Sequence, residues 1–289
     1  MGKDLFAEFP VAKELYQRAD DVLGFSLSKV CFEGPEAELK QTKNTQPAIF
    51  LHSMAVWALL RPTDASMVAG HSLGEYSALV AAGALTLENA LTLVRLRGEL
   101  MQKAGEENAG TMAAIVGLDT KTVGEICCTA WKEGVVQAAN FNSPGQIVIS
   151  GSVSGVRKAM ELGKVRGAKL VKELVVSGAF HSPLMQSAKD GLKAALDAMN
   201  IRDAAIPVYA NVSARPVRKA DEIRESLFEQ VTSPVRWEET IQHMSDDGVT
   251  NFVEIGPGKV LQGLVKRIAP AASAAGIDTA AQVASAAKV

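Results

Sequence analysis

The chain has 289 residues, 47% of them hydrophobic, with 30 Lys+Arg against 32 Asp+Glu for a formal net charge of −2. That length and apolar content suit one large domain or a domain with an insertion, and the near-balanced charge excludes bulk electrostatic attraction to nucleic acid or an anionic membrane. The three cysteines, Cys31, Cys127 and Cys128, have no metal-ligand spacing and form no disulfide framework, which predicts reduced, packed or inert thiols in a cytoplasmic protein without a secretory signal or membrane span.

From the start to about Ala104, helical patterns alternate with short apolar runs, as in an α/β layered domain. No segment before Lys13 has strand character. Gln46 to Leu60 reads as a helix, Met67 to Ala69 as a strand, Ser72 to Ala82 as a helix closed by Gly83, and Thr86 to Lys103 as a helix with Thr86 as N-cap. The rhythm then changes. Thr111 to Gly117 is a strand, Thr120 to Lys132 a helix, Val135 to Phe141 and Gln146 to Ser150 strands joined by Asn142-Ser143-Pro144-Gly145, Val153 to Gly163 a helix and Lys169 to Val176 a strand. This β-α-β-β-α-β order is the ferredoxin-like split unit. The α/β pattern resumes with strands at Pro207 to Val212 and Phe252 to Ile255, so the unit is read as an insertion. The expected fold class is a hydrolase-like α/β parallel-sheet domain, residues 1–107 and 178–289, carrying a ferredoxin-like subdomain at 108–177. The tail from Ala271, rich in alanine and serine, is expected to pack weakly.

Gly70-His71-Ser72-Leu73-Gly74 lies between the strand and the helix patterns. Glycines at both ends let the chain turn sharply and leave the Ser72 hydroxyl at the start of a helix, where free amides stabilise developing negative charge. This arrangement makes a serine nucleophilic. It needs a base, and four histidines are available. His52 reads as a surface or packed helical residue, and His243 as a solvated one. His71 lines the turn but cannot easily reach around to Ser72. His181 follows Gly178-Ala179-Phe180, where the inserted unit returns to the main domain and a cleft forms. It is the candidate base, with a near-neutral pKa that suits proton transfer to and from Ser72. No acid between Ser72 and His181 is an evident third member, so a backbone carbonyl is expected to orient the imidazole.

On the Thr86 to Lys103 helix, Arg95 has Glu88, Thr92 and Glu99 around it and reads as a solvated ion-pairing residue. Arg97 instead has Ala90, Leu93, Leu100 and Met101, and a guanidinium in such company needs an anion. A substrate carboxylate gripped by its planar fork and a core acid both satisfy the pattern.

Gly70-His71-Ser72-Leu73-Gly74-Glu75-Tyr76, Leu96-Arg97-Gly98, Asn140-Phe141-Asn142-Ser143-Pro144-Gly145-Gln146, Ala179-Phe180-His181-Ser182 and Glu254-Ile255-Gly256-Pro257-Gly258-Lys259 occur in this order. Together they closely resemble the malonyl-CoA:acyl-carrier-protein transacylases of fatty acid synthesis, over nearly the whole chain. The resemblance implies an acyltransferase with Ser72 as nucleophile, His181 as base, and Arg97 holding the malonyl carboxylate. It also implies that the Gln230 main-chain carbonyl orients the histidine, that Leu73 supplies an oxyanion amide, and that Phe180 takes the malonyl-selective form. Malonyl-CoA and acyl carrier protein are the implied partners, with no cofactor and no metal. The family also opens with a strand and a Gly-Gln-Gly-Ser-Gln turn that supplies a second oxyanion amide. This sequence opens on Met1-Gly2-Lys3-Asp4-Leu5, and as written it is expected to be less stable and less active than a form extended by that strand and turn. A catalytically impaired carrier-protein-binding remnant and a serine thioesterase are the alternatives.

Overall fold

The computed structural model describes residues 1–62 and 64–286. The chain opens in helices: α1 (Lys3–Glu8), α2 (Pro10–Leu23), α3 (Leu27–Glu33), α4 (Glu36–Leu39) and α5 (Thr42–Leu60). Pro10 starts α2 where its missing N–H costs nothing, and Gly24 closes it at φ 71. Helix α5 buries Phe50, Leu51, Met54, Ala55 and Val56 and so runs through the interior. Strand β1 (Val68–Ala69) then leads into α6 (Gly74–Ala81), and α7 (Leu87–Glu107) follows, with the Thr86 Oγ1 accepting the Asn89 N–H at 3.2 Å.

Next come β2 (Gly110–Val116), α8 (Thr120–Ala130), β3 (Val136–Ser143), β4 (Gln146–Ser152), α9 (Val153–Val165) and β5 (Leu170–Glu173). The sheet order is β3-β4-β2-β5, antiparallel throughout. This is the expected ferredoxin-like unit. The two-residue period of β2 divides its side chains: Ala113 and Ile115 join Val123, Ile126 and Val156 from the helices. Met112 and Ala114 face the other way, in a cluster with Phe180.

The chain continues through a 3-10 turn at Pro183–Met185, α10 (Gln186–Ala198), β6 (Val208–Tyr209), β7 (Pro216–Val217), α11 (Ala220–Gln230) and α12 (Trp237–Asp246). It ends in β8 (Asn251–Ile255), α13 (Val260–Ile268), β9 (Ser273–Ile277) and α14 (Ala280–Ala286). β1 is parallel to β6, β7 is antiparallel to β6, and β8 is parallel to β9. Among the described residues all strand pairing before β2 belongs to β1, and β1 pairs only with β6 and β8 only with β9. A groove of about 660 Å³ runs beside both, lined by Met67, Ala69, Phe252, Ile255 and Trp57. The main core joins early and late segments, with Leu5, Tyr16, Phe50, Tyr76 and Leu93 against Leu192, Val208 and Leu227. No helix of the described residues is long and apolar enough to cross a membrane.

Two sequence expectations are corrected here. The tail is not weakly packed: Ser273 to Ile277 pair with Asn251 to Ile255, Ala280 and Val283 are buried, and Ala280 N–H donates to Asp4 Oδ2 at 2.8 Å. Alanine and glycine carry little strand propensity, and the strand is made by its neighbour. His243 is not simply solvated, since its Nδ1 lies 2.7 Å from Ala214 O. His52 is packed, 2% exposed, with Nε2 3.0 Å from Asp278 O.

Helices α5 and α7 meet backbone to backbone at Gly98, where an added β-carbon would lie 2.9 Å from Lys43 Cα and 2.9 Å from Thr42 O. A methyl group there must push the helices apart. Overpacking of this kind costs about 1–3 kcal/mol, more than the ~1 kcal/mol that alanine gains over glycine in a helix. Gly98→Ala is therefore expected to lower the thermal midpoint. Gly124→Ala on α8, which meets nothing within 4 Å, is expected to raise it. Equal shifts in a melting comparison would contradict the contact argument.

Candidate active site

The turn after β1 is as tight as its sequence predicts. A β-carbon on Gly70 would stand 1.9 Å from the Gly74 carbonyl carbon and oxygen, whereas one on Gly74 would meet nothing within 4 Å. Packing therefore demands glycine at only one of the two positions. Ser72 sits at φ 52, a conformation that costs a non-glycine residue on the order of 1–3 kcal/mol and persists only where the surroundings impose it. Asn211 imposes it. Its Oδ1 accepts the Ser72 N–H at 2.6 Å and its Nδ2 donates to Gly70 O at 2.7 Å, so one buried carboxamide grips both arms of the turn. Leu73 N–H has no acceptor among the described residues. It stands at the start of α6, where no side chain caps the helix. A free amide at a helix N-terminus is a donor for an oxyanion.

His181 Nε2 lies 2.8 Å from Ser72 Oγ, and His181 Nδ1 lies 2.9 Å from Gln230 O. The carbonyl only accepts, so Nδ1 carries the proton and Nε2 presents its lone pair to the serine hydroxyl. No acid among the described residues bonds the ring. Gln137, from β3 of the ferredoxin-like unit, donates to His181 O at 2.8 Å and to Thr232 O at 3.1 Å, tying the histidine segment to the inserted sheet. Burial, and then the nearby Arg97 cation, push the imidazole down to about 3. The near-neutral value expected for a free histidine does not hold, because this ring is dry and faces a guanidinium. It is therefore neutral and able to accept a proton throughout the physiological range.

Arg97 is 2% exposed, and its partners are all uncharged: Gln46 Oε1 at 2.6 Å, Gln230 Oε1 at 3.0 Å and Ser72 Oγ at 3.0 Å. Its Nε is buried without an acceptor among the described residues. Of the two readings the sequence left open, the core acid in direct contact is absent among the described residues. The serine oxygen thus accepts from a cation while donating to a neutral base, and both contacts favour the alkoxide. Arg95 follows its helix-face reading, pairing with Glu99 at 2.6 Å and also donating to Asn44 Oδ1 at 2.7 Å.

His71 turns away from Ser72. Its Nε2 lies 2.9 Å from Asn142 Oδ1 and its ring centroid 5.6 Å from that of Trp237, and burial lowers its pKa. Phe180 is partly buried between the main core and the small Met112 cluster. Sequence reasoning missed Asn211, Gln46 and Gln137, and gave no task to Glu75. Glu75 is 2% exposed, and its Oε2 accepts from Asn211 N at 3.0 Å and Gln230 Nε2 at 2.7 Å.

An α/β frame that strains one serine against a neutral histidine, with an anion-seeking arginine beside it, defines an enzyme working through an acyl-serine. The chain belongs to the acyl transferase domain family, whose model matches residues 1–288. It is 49% identical over 271 residues to the malonyl CoA-acyl carrier protein transacylase of Bacillus subtilis, covering 93% of this chain and 86% of that one. The corresponding protein of Haemophilus influenzae is 44% identical, covering 93% and 87%. Among solved structures it superposes with a TM-score of 0.96 at 41% identity on a malonyl-transacylase in complex with a type II polyketide acyl carrier protein, covering 100% of this chain and 94% of that one. The acyl-carrier-protein S-malonyltransferase of Burkholderia pseudomallei gives 0.93 at 42% identity, covering 98% and 94%.

Proposed function

We propose that the protein transfers a malonyl group from malonyl-CoA to the phosphopantetheine thiol of acyl carrier protein through a malonyl ester on Ser72. In the first half-reaction His181 Nε2 takes the hydroxyl proton as Ser72 Oγ attacks the thioester carbon. The oxyanion is held by Leu73 N–H, and coenzyme A leaves as a thiol carrying that proton from His181. In the second half-reaction His181 takes the carrier thiol's proton, the sulfur attacks the ester carbon, and the proton returns to Ser72. The Gln230 carbonyl keeps the tautomer correct in both directions. His71 and Phe180 line the site. Residues 1–107 and 178–289 form the catalytic domain and 108–177 the inserted one, a division supported by their separate hydrophobic clusters. We assign the protein to the cytoplasm, where the free thiols of Cys31, Cys127 and exposed Cys128 stay reduced.

The observation that carries the malonyl reading is Arg97, a buried guanidinium 3.0 Å from the Ser72 hydroxyl with no acid in contact among the described residues. A free carboxylate on the acyl group supplies that acid, and acetyl does not. Charge-assisted hydrogen bonds of this kind contribute about 1.5–3 kcal/mol, roughly one to two decades of discrimination. Arg97→Ala is expected to lose that much malonyl preference in loading rates compared with acetyl-CoA. An unchanged ratio would assign Arg97 to the scaffold.

A further inference from the structure

Glu75 is a buried carboxylate at the site to which the reaction above gives no task. Its two donors both reach Oε2: Asn211 N at 3.0 Å and Gln230 Nε2 at 2.7 Å. The Gln230 side-chain amide also donates to Ser72 O at 3.0 Å. Its Oε1 is thereby left to accept Arg97 Nη2 at 3.0 Å. The carboxamide thus stands between a buried anion and a buried cation and faces each with the complementary end. Rotating it by half a turn would put its NH2 against the guanidinium, so Glu75 fixes which way Gln230 points.

We propose that Glu75 is the resident counter-ion of Arg97, held off it by the Gln230 carboxamide, and that it takes up a proton when a substrate carboxylate docks on Arg97. The proposal rests on the reading of Arg97 as the carboxylate clamp. Without substrate the site holds one cation and one anion. A malonyl carboxylate brings a second anion, which a buried site does not accommodate beside one guanidinium. The proton comes from solvent and is returned when the carboxylate leaves. Burial has already moved the Glu75 carboxyl up to about 7, so protonation near neutrality is inexpensive. Oε1 takes no hydrogen bond among the described residues and is open to the added hydrogen.

The other titratable groups of the site do not titrate in this range. His181 and His71 are held neutral by burial. Burial raises the Tyr76 phenol to about 12. Arg97 remains the cation.

The consequence is specific to charged acyl groups. Above about pH 7, malonyl-CoA must bind with proton uptake, and its affinity falls with rising pH by up to tenfold per unit. Acetyl-CoA has no carboxylate to displace the charge, and its affinity stays flat. Glu75→Gln keeps an acceptor oxygen and the side-chain volume while removing the charge.

The test uses Ser72→Ala protein, in which binding is not followed by acylation. Malonyl-CoA and acetyl-CoA are titrated calorimetrically near pH 7.5 in two buffers of different ionisation heat, which counts protons taken up. The expected result is an uptake approaching one proton for malonyl-CoA beyond that for acetyl-CoA, absent in Ser72→Ala/Glu75→Gln, whose malonyl-CoA affinity is several-fold tighter near pH 8 and independent of pH. No excess uptake in Ser72→Ala alone overturns the proposal, even if the double variant fails to fold. A preference for malonyl-CoA over acetyl-CoA that persists in Ser72→Ala/Arg97→Ala overturns the clamp reading instead. Loss of that preference without excess uptake sinks Glu75 and leaves the clamp standing.

Discussion

Ser72→Ala is expected to abolish malonyl transfer and the covalent malonyl-protein adduct together. The hydroxyl is the atom on which the strained turn, the His181 lone pair and the Arg97 donor converge, and alanine removes it while leaving the turn's backbone contacts to Asn211. Loss of a nucleophile from a serine–histidine pair lowers turnover by on the order of 10⁴–10⁶-fold, the remainder coming from binding and oxyanion donors. The check is transfer of radiolabelled malonyl to carrier protein, with intact-protein mass measured in parallel. Retention of a stable ester in the variant would move the acyl site elsewhere.

His181→Ala is expected to slow acylation and deacylation by roughly 10²–10⁴-fold each, because one base serves both half-reactions. The pH dependence carries a sign. A base works while neutral, and in the free enzyme this imidazole has been pushed down to about 3 by burial and by Arg97. The acylation rate constant at subsaturating malonyl-CoA, which reports the free enzyme, is therefore expected to hold its plateau from neutral pH to well below 6.5, the ordinary histidine value, wherever the protein stays folded. Arg97→Ala removes a cation that repels protonation, so it should move the acid limb of that profile upward. A half-maximal rate near pH 6.5 in the unmodified enzyme, or no upward movement in Arg97→Ala, would contradict the electrostatic picture of the site.

Local signals in the sequence locate Ser72 and His181, which the fold brings to 2.8 Å of each other. Gly70 is demanded by a contact four residues away in the same turn, so the short motif around Ser72 carries its own geometry. His181 is legible from its place at the return from the inserted unit, and the alternation of β2 and its companions yields the ferredoxin-like order. Glu75, Asn211 and Gln46 are not legible in this way. Glu75 stands in the first turn of α6, where an acid is ordinarily explained by the helix dipole. Only the fold shows that it is buried under Gln230, 155 positions further along. Asn211 grips Ser72 across a separation of 139. The Arg97 question was undecidable for the same reason, since its neighbours along the helix are apolar and its acceptors come from α5, the turn and α11. The tail departs from its sequence reading because its strand is specified by β8 and not by its own residues. A near-neutral His181 was the reasonable expectation for an isolated imidazole, and it failed because burial and a distant arginine in sequence are close in space.

The fate of the acyl-serine separates transfer from hydrolysis. Protein loaded with malonyl-CoA and freed of excess substrate should carry malonyl on the peptide containing Ser72 and hold it in buffer. On addition of carrier protein bearing phosphopantetheine, the ester should disappear from Ser72 and an equal amount of malonyl thioester appear on the carrier. Malonyl on any other residue, or loss of the ester to water at the same rate with and without carrier protein, would contradict the account.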